Sequence, residues 1–225
     1  MNSWEIAVRA ASWAEPGMVI GLGTGRAAAG FVRELGARVR SGLQVRGIPT
    51  SRATESLARS LDIPLVGFDE VAGVDLAVDG ADEVDPDLNL IKGHGGALVR
   101  ERVVAAAASR FVVLVGPEKL SHRLGAQRSV PVEAIPFAAP QVRRALERMG
   151  AEAAIRFESE GKPFVTDNRN LLVNAAFGEI ADPAALHWQI RDIPGVLDSG
   201  LFAGMADEVL VEGQRTPPSV GAAAS

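Results

Sequence analysis

The chain has 225 residues, 47% hydrophobic and 23% charged, which is enough apolar content for a folded core and too little net charge for a disordered polymer. A formal charge of -5 and a pI near 5.3 leave no basic footprint for nucleic acid or an anionic membrane surface. Zero cysteines exclude disulfides, thiolate zinc sites and a cysteine nucleophile, and the three histidines, His94, His122 and His187, lack metal-ligand spacing.

Met1 to Ala14 has no basic region ahead of an apolar one, so no secretory leader is expected. The longest apolar region, Val103 to Val115, is interrupted by Ser109-Arg110 and is too short to span a bilayer. The cytoplasm is the expected location.

Ser3 to Ala14 reads as a short amphipathic helix with a serine cap. Met18 to Leu22 then reads as a buried strand running into Gly23-Thr24-Gly25, followed by a helix over Ala27 to Val39. Leu43 to Ile48 is a second strand, after which Pro49-Thr50-Ser51 opens a helix through Leu61. A short strand is expected at Pro64 to Phe68 and a buried one at Asp75 to Val78. A helix follows over Val103 to Ala108, and Phe111 to Val115 is a fully apolar strand ending at Gly116-Pro117-Glu118-Lys119. Strands alternating with helices predict a mostly parallel sheet covered on both faces, a Rossmann-like α/β arrangement.

From about Ser129 the pattern changes. Strands at Val130 to Ile135, Ala153 to Phe157, Phe164 to Val173 (one strand or a pair of short ones) and Gly195 to Leu197 alternate with helices at Pro140 to Met149 and Pro183 to Arg191. The order βαββαβ is that of a ferredoxin-like α+β unit. Glu208 to Val211 is expected to return to the first sheet, which makes residues 1–128 plus 200–213 a discontinuous domain with 129–199 inserted. Residues 214–225 read as a disordered tail.

Between the strand ending at Val78 and the helix that follows lies an acidic, glycine-rich stretch, Asp79 to Glu101. A core-building segment has little use for so many carboxylates, because buried charges are costly unless paired. Ligands bind at such strand ends in open α/β sheets. Asp79 and Asp82 read as functional, with a magnesium site as the rival reading, since carboxylate clusters suit hard cations. Asp85 and Asp87, beside Pro86, read as turn residues.

On a helix starting near Gly96 or Ala97, Glu101 shares a face with Leu98, Ala105 and Ala108, while Arg100 and Arg102 lie about 100° to either side. Glu101 should therefore point inward, where desolvation would make it a better proton acceptor and a nearby Lys92 would pull the other way. The plainer alternative is a surface glutamate pairing with an arginine of its own helix. Of the 23 basic residues only Lys92, Lys119 and Lys162 are lysines, so a lysine kept against that bias suggests a need for a compact ammonium. Lys162, in a Gly-Lys-Pro turn, needs no such explanation. His94, flanked by glycines, reads as a loop residue.

Gly21-Leu22-Gly23-Thr24-Gly25, between a strand and a helix, is a candidate anion site or simply a tight turn. Read from Gly23 the letters satisfy G-x-G-x-x-A. The second strand nevertheless ends Gly47-Ile48-Pro49-Thr50, with no acid for a ribose hydroxyl, so NAD is disfavoured.

Asp79-Gly80-Ala81-Asp82-Glu83-Val84-Asp85, Leu90-Ile91-Lys92-Gly93 and Gly96-Ala97-Leu98-Val99-Arg100-Glu101 together resemble the signature of ribose-5-phosphate isomerase type A. Gly21 to Gly25, Pro49-Thr50-Ser51, Thr166-Asp167-Asn168, Pro194-Gly195-Val196 and Gly200-Leu201-Phe202 are similar to that family's other blocks, in the same order. The resemblance implies interconversion of D-ribose 5-phosphate and D-ribulose 5-phosphate through an enediolate, with no cofactor and no metal. It implies Glu101 as the base at carbon, Asp79 and Asp82 at the oxygens, and Lys92 with Gly93, His94 and Gly95 at the oxyanion. Thr24, Gly25, Arg26, Ala27, Gly80, Ala81 and Lys119 fall on the substrate side, and a homodimer or homotetramer is implied. Five positions depart from the family pattern: Arg26-Ala27 stand for Ser-Thr, His94 for a glycine, Arg169 interrupts Asp-Asn-Gly-Asn, and Asn174 replaces an aspartate. The competing reading from another class is a non-catalytic sugar-phosphate sensor on the same fold.

Overall fold

The structure is a computed structural model that describes residues 5–158 and 161–213. In chain order its elements are α1 (Glu5–Ser12), β1 (Val19–Leu22), α2 (Arg26–Arg40), β2 (Arg46–Pro49), α3 (Arg52–Ser60), β3 (Leu76–Gly80), β4 (Glu83–Val84), β5 (Leu90–Ile91), α4 (Leu98–Ala106) and β6 (Phe111–Val115). After a 3-10 turn at Pro117–Lys119 come β7 (Val130–Ala134), α5 (Ala139–Arg148), β8 (Glu152–Ile155), β9 (Leu171–Ala176), α6 (Pro183–Arg191), β10 (Val196–Ser199), β11 (Leu201–Phe202) and β12 (Glu208–Val211). The expected cap at Ser3 and the expected tail at 214–225 lie outside the described residues.

These elements form two compact units. Of the described residues, 5–81, 100–119 and 205–213 make the first, and 82–99 and 120–204 (without 159 and 160) the second. The boundaries expected from the sequence, after 128 and after 199, therefore differ from those of the packing: 82–99 and 120–128 pack with the second unit, and 200–204 do too.

The first unit is built on a five-stranded sheet in the order β12-β6-β3-β1-β2, with every pairing parallel. Every residue of β1 and β6 is buried, as are the first four of β3, because a parallel sheet covered on both faces has no solvent side. Ile6 and Ala10 of α1, Phe31, Val32 and Leu35 of α2 and Ala58 of α3 close over Ile20, Leu22, Val78, Val112 and Leu114. The return of the chain to this sheet through β12 is as expected, pairing with β6 from Glu208 to Val211.

In the second unit β7, β9, β8 and β10 form an antiparallel sheet in the order β10-β7-β9-β8, with α5 and α6 completing βαββαβ. Its core packs Val142 and Leu146 of α5 and Ile190 of α6 with Val130, Val132, Val173 and Ala175 of the sheet. A small antiparallel sheet, β11-β5-β4, belongs to the same unit. Its strands of two residues each are too short to leave a periodic pattern, and the sequence does not reveal them.

Two expectations need correction. At Pro64 to Phe68 there is a single bridge, Gly47 with Leu65, because Pro64 has no N–H and Gly67 turns away to meet Glu70. The second strand begins only at Arg46. In the region Phe164 to Val173, residues 166–170 form a turn with Arg169 at φ 66°, and the regular strand starts at Leu171. No described helix is long and apolar enough to cross a membrane.

Candidate active site

In the first unit β1, β3 and β6 are adjacent and parallel, so the segments leaving them open on one edge of the sheet. Asp79, near the end of β3, is buried. Its Oδ1 accepts from the Thr24 N–H at 3.0 Å and from the Gly80 N–H at 2.7 Å. Gly23 lies against the same carboxyl. A Cβ there would stand 2.3 Å from Asp79 Cγ, so only glycine lets the loop after β1 approach β3.

The Thr24 hydroxyl sits among three others, 2.7 Å from Thr50 Oγ1, 2.8 Å from Ser51 Oγ and 3.4 Å from Thr54 Oγ1. Thr54 in turn donates to the Gly23 carbonyl at 2.9 Å, and Ser51 caps α3 by accepting from the Thr54 N–H at 3.1 Å. The glycine loop is therefore tied to the start of α3 by hydroxyls. The cap was readable from Pro49-Thr50-Ser51. The cluster was not, since its members are 26 to 30 residues from Thr24.

Gly25, at φ 101°, begins α2 without a side-chain cap, and a helix N-terminus of that kind attracts anions through its N–H groups and dipole. Arg26 and Ala27 follow in the first turn. The Arg26 side chain is 79% exposed and reaches Glu118 at 3.9 Å. Lys119, half-buried, closes the 3-10 turn after β6.

Glu101 occupies the first turn of α4 and is 5% exposed, while Arg100 and Arg102 beside it are half-buried, as the helical spacing predicts. It borders a packing gap too thin to hold a water molecule, together with Asp79, Gly23, Thr50, Val78, Val104, Ala105 and Phe111. Two buried carboxyl groups and the glycine loop thus lie close together among apolar side chains, a setting that suits a carboxylate acting as a proton acceptor.

In the second unit β4 and β5 form a hairpin that sets Asp82 beside the turn after β5. The Asp82 N–H donates to the Ile91 carbonyl at 2.8 Å, and Asp82 Oδ2 accepts from the His94 N–H at 3.0 Å. Lys92 follows β5, its N–H bonded to the Gly200 carbonyl at 2.9 Å. It is only 2% exposed, with Nζ 5.7 Å from the centre of the Phe202 ring.

Gly93 and Gly96, at φ 98° and 84°, turn the chain tightly, with the Gly96 N–H on the Gly93 carbonyl at 2.9 Å and Gly95 exposed at the tip. A Cβ on Gly93 would meet that of Leu98 at 2.5 Å. The His94 ring is directed to the Ser129 carbonyl at 2.9 Å, so Nε2 carries a proton and the imidazole anchors the loop. Asp85 accepts from the Asp87 and Asn89 N–H groups, which is the turn role expected of it.

Glu83 and Arg156 escape a reading of the sequence. The buried Glu83 carboxylate receives the N–H groups of Gly125, Gln127 and Arg128, which folds that loop around it. Arg156 donates to the His94 carbonyl across 62 residues of chain. Neither carries a local signal. Among the described residues no group of three or more His, Cys, Asp or Glu side chains could hold a metal ion.

Buried carboxylates beside a glycine loop that opens a helix suit proton transfer on a small phosphorylated substrate, which is the chemistry of the α/β sugar-phosphate isomerases. The profile of ribose 5-phosphate isomerase A (phosphoriboisomerase A) matches residues 46–216. Ribose-5-phosphate isomerase A of Roseiflexus castenholzii is 49% identical over 209 residues, covering 92% of this chain and 89% of the relative. That of Methanothermobacter thermautotrophicus is 50% identical over 207 residues, covering 91% and 90%. The solved structure of ribose 5-phosphate isomerase A from Methanocaldococcus jannaschii aligns with a TM-score of 0.90 at 45% identity, covering 95% of each chain. A D-ribose-5-phosphate isomerase in complex with phospho-erythronic acid aligns at 0.88 and 40% identity, covering 94% of this chain and 96% of that one. The chain belongs to the ribose-5-phosphate isomerase A family.

Proposed function

We propose that this protein interconverts D-ribose 5-phosphate and D-ribulose 5-phosphate through an enediolate, in the non-oxidative branch of the pentose phosphate pathway and without metal or cofactor. The observation that carries the proposal is that two buried carboxyl groups, Glu101 and Asp79, line one gap together with the glycine loop after β1. In the open-chain aldose, Glu101 removes the proton from C2 as the C1 carbonyl becomes an oxyanion. Lys92 and the Gly93-His94-Gly95 turn stabilise that charge, Asp79 and Asp82 carry a proton between O2 and O1, and Glu101 returns its proton to C1.

Thr24, Gly25, Arg26, Ala27 and Lys119 hold the phosphate end, and Gly80 and Ala81 bound the sugar. Phospho-erythronic acid, bound by the relative named above, supports this assignment: its planar carboxylate on a phosphorylated four-carbon chain resembles the planar enediolate. A sugar-phosphate sensor would have no use for acid–base side chains, and Asp79 and Glu101 are both present and buried.

Self-association as a homodimer or homotetramer is supported by large apolar side chains left exposed on the second unit, Ile135, Phe137, Phe157, Val165 and Trp188. A cytoplasmic setting is supported by the absence of cysteine from the sequence.

The test is a direct assay of ribulose 5-phosphate formation from ribose 5-phosphate with EDTA present, for the wild-type protein and Glu101→Gln. Turnover that survives EDTA in the wild type and falls about 10²- to 10⁴-fold in the variant is expected. Near-wild-type turnover in Glu101→Gln would sink the assignment of the base.

A further inference from the structure

Arg156 follows β8 directly, and its backbone is held on both sides: its N–H donates to the Leu172 carbonyl at 2.8 Å, and its carbonyl accepts from the Phe164 N–H at 2.9 Å. A guanidinium launched from so fixed a position has few places to go. Its Nη1 donates to the His94 carbonyl at 2.7 Å and its Nη2 to Asn174 Oδ1 at 2.9 Å. The plane of the cation lies by Phe164, 5.4 Å from the ring centre, and the same ring fills the space where a Cβ on Gly96 would stand, 2.5 Å from Phe164 Cζ. Arg156 and Phe164 together thus back the turn from Gly93 to Gly96.

What this does to the turn follows from the geometry of a peptide unit. The chain has no cis peptide among its described residues, so the His94 C=O and the Gly95 N–H point in opposite directions. A charge-assisted bond on the carbonyl fixes the plane of that peptide and polarises it, which makes the N–H on the far side a stronger and better-aimed donor. The neighbouring peptide is held from the other end by Asp82, which accepts the His94 N–H at 3.0 Å. Arg156 and Asp82 therefore grip successive amides of one turn.

We infer that Arg156 is a positioning residue of the isomerase: by holding the His94 carbonyl it aims the Gly95 N–H as a donor to the developing oxyanion. The inference rests on the enediolate reading given above and adds to it a residue that touches neither substrate nor reacting atoms. Burial pushes the Arg156 guanidinium below the ordinary arginine value, and the Asp82 carboxylate acts in the opposite sense. Residue 174, the acceptor of the second bond, is a neutral asparagine and so leaves the cation's charge to act on the turn and on Asp82.

The test compares wild type, Arg156→Met, Arg156→Lys and Asn174→Leu in the ribose 5-phosphate assay, with a thermal melt on each. Arg156→Met keeps the bulk and loses both donors and charge. Its kcat is expected to fall about 10- to 100-fold while KM stays within about twofold, because the donor acts on charge present only in the transition state. Arg156→Lys restores a charge and one donor without the fork, and should recover part of the loss. Added guanidinium at non-denaturing concentration should do the same for Arg156→Ala. Asn174→Leu, which removes only the outer acceptor, should give a smaller fall in kcat.

An unchanged kcat in folded Arg156→Met, or a loss confined to KM, overturns the inference. Should Arg156→Met not fold, an unchanged kcat in Asn174→Leu overturns it in the same way. A wild-type protein that does not turn over ribose 5-phosphate counts against the isomerase reading itself, whereas an active wild type with an unimpaired Arg156→Met removes only the role of Arg156.

Discussion

The carboxyl of Asp79 fills the space that any side chain at Gly23 would need, with Cγ and Oδ1 2.3 Å from where a Cβ would stand. Gly23 is not among the residues at positive φ, so the requirement is steric and comes from the neighbouring strand. The glycine that admits the Thr24 N–H to Asp79 is thus also what holds that carboxylate in place.

Gly23→Ala should therefore damage the site more than the fold. Overpacking of this kind costs about 1–3 kcal/mol, to be read from denaturant unfolding. In the assay kcat should drop because Asp79 is displaced from the Thr24 N–H, and a wild-type kcat would contradict the coupling.

Glu101→Asp keeps the carboxylate and draws it back by one methylene. If Glu101 is the base, a misplacement of about 1 Å costs on the order of 10²-fold, and kcat should fall by that amount with little change in KM. The alanine-rich helix around it should melt as before.

Lys92 is buried against Phe202. A guanidinium is wider and planar, and cannot take the place of a compact ammonium there. Lys92→Arg is expected to lose about 10²-fold or more in kcat, close to the loss in Lys92→Met. Substantial recovery by arginine would show that charge alone suffices.

Thr54→Val preserves shape and deletes the hydroxyl that donates to the Gly23 carbonyl and accepts from Ser51 Oγ. A stability loss of about 1 kcal/mol is expected. KM for ribose 5-phosphate should rise as the loop loosens, more than kcat falls.

Arg26 reaches Glu118 only at 3.9 Å from a largely exposed position, so the pair contributes little to stability. If the guanidinium serves the phosphate, Arg26→Ala should raise KM for ribose 5-phosphate, more so at low salt, and leave the melting temperature unchanged. An unchanged KM would dispose of the phosphate role.

The amino-acid sequence by itself determined what depends on neighbours along the chain. The apolar runs of β1, β3 and β6 announce a buried parallel sheet, because strands covered on both faces need no polar alternation. The inward direction of Glu101 follows from 100° per residue and the arginines on either side of it. Asp79 and Asp82 stand out as carboxylates just past a buried apolar run, and Lys92 as one of three lysines among 23 basic residues.

Only the tertiary structure decided the rest. Arg156 meets the His94 carbonyl, Thr24 meets Thr50 and Thr54, and Glu83 gathers the amides of Gly125, Gln127 and Arg128, each across a separation at which no periodicity operates. The packing units divide for the same reason at places the sequence does not mark: strands of two residues, such as β4 and β5, take their partners from packing. The acidic stretch from Asp79 to Glu101 is continuous in sequence, yet the packing divides it between both units, at Asp82 and again at Arg100.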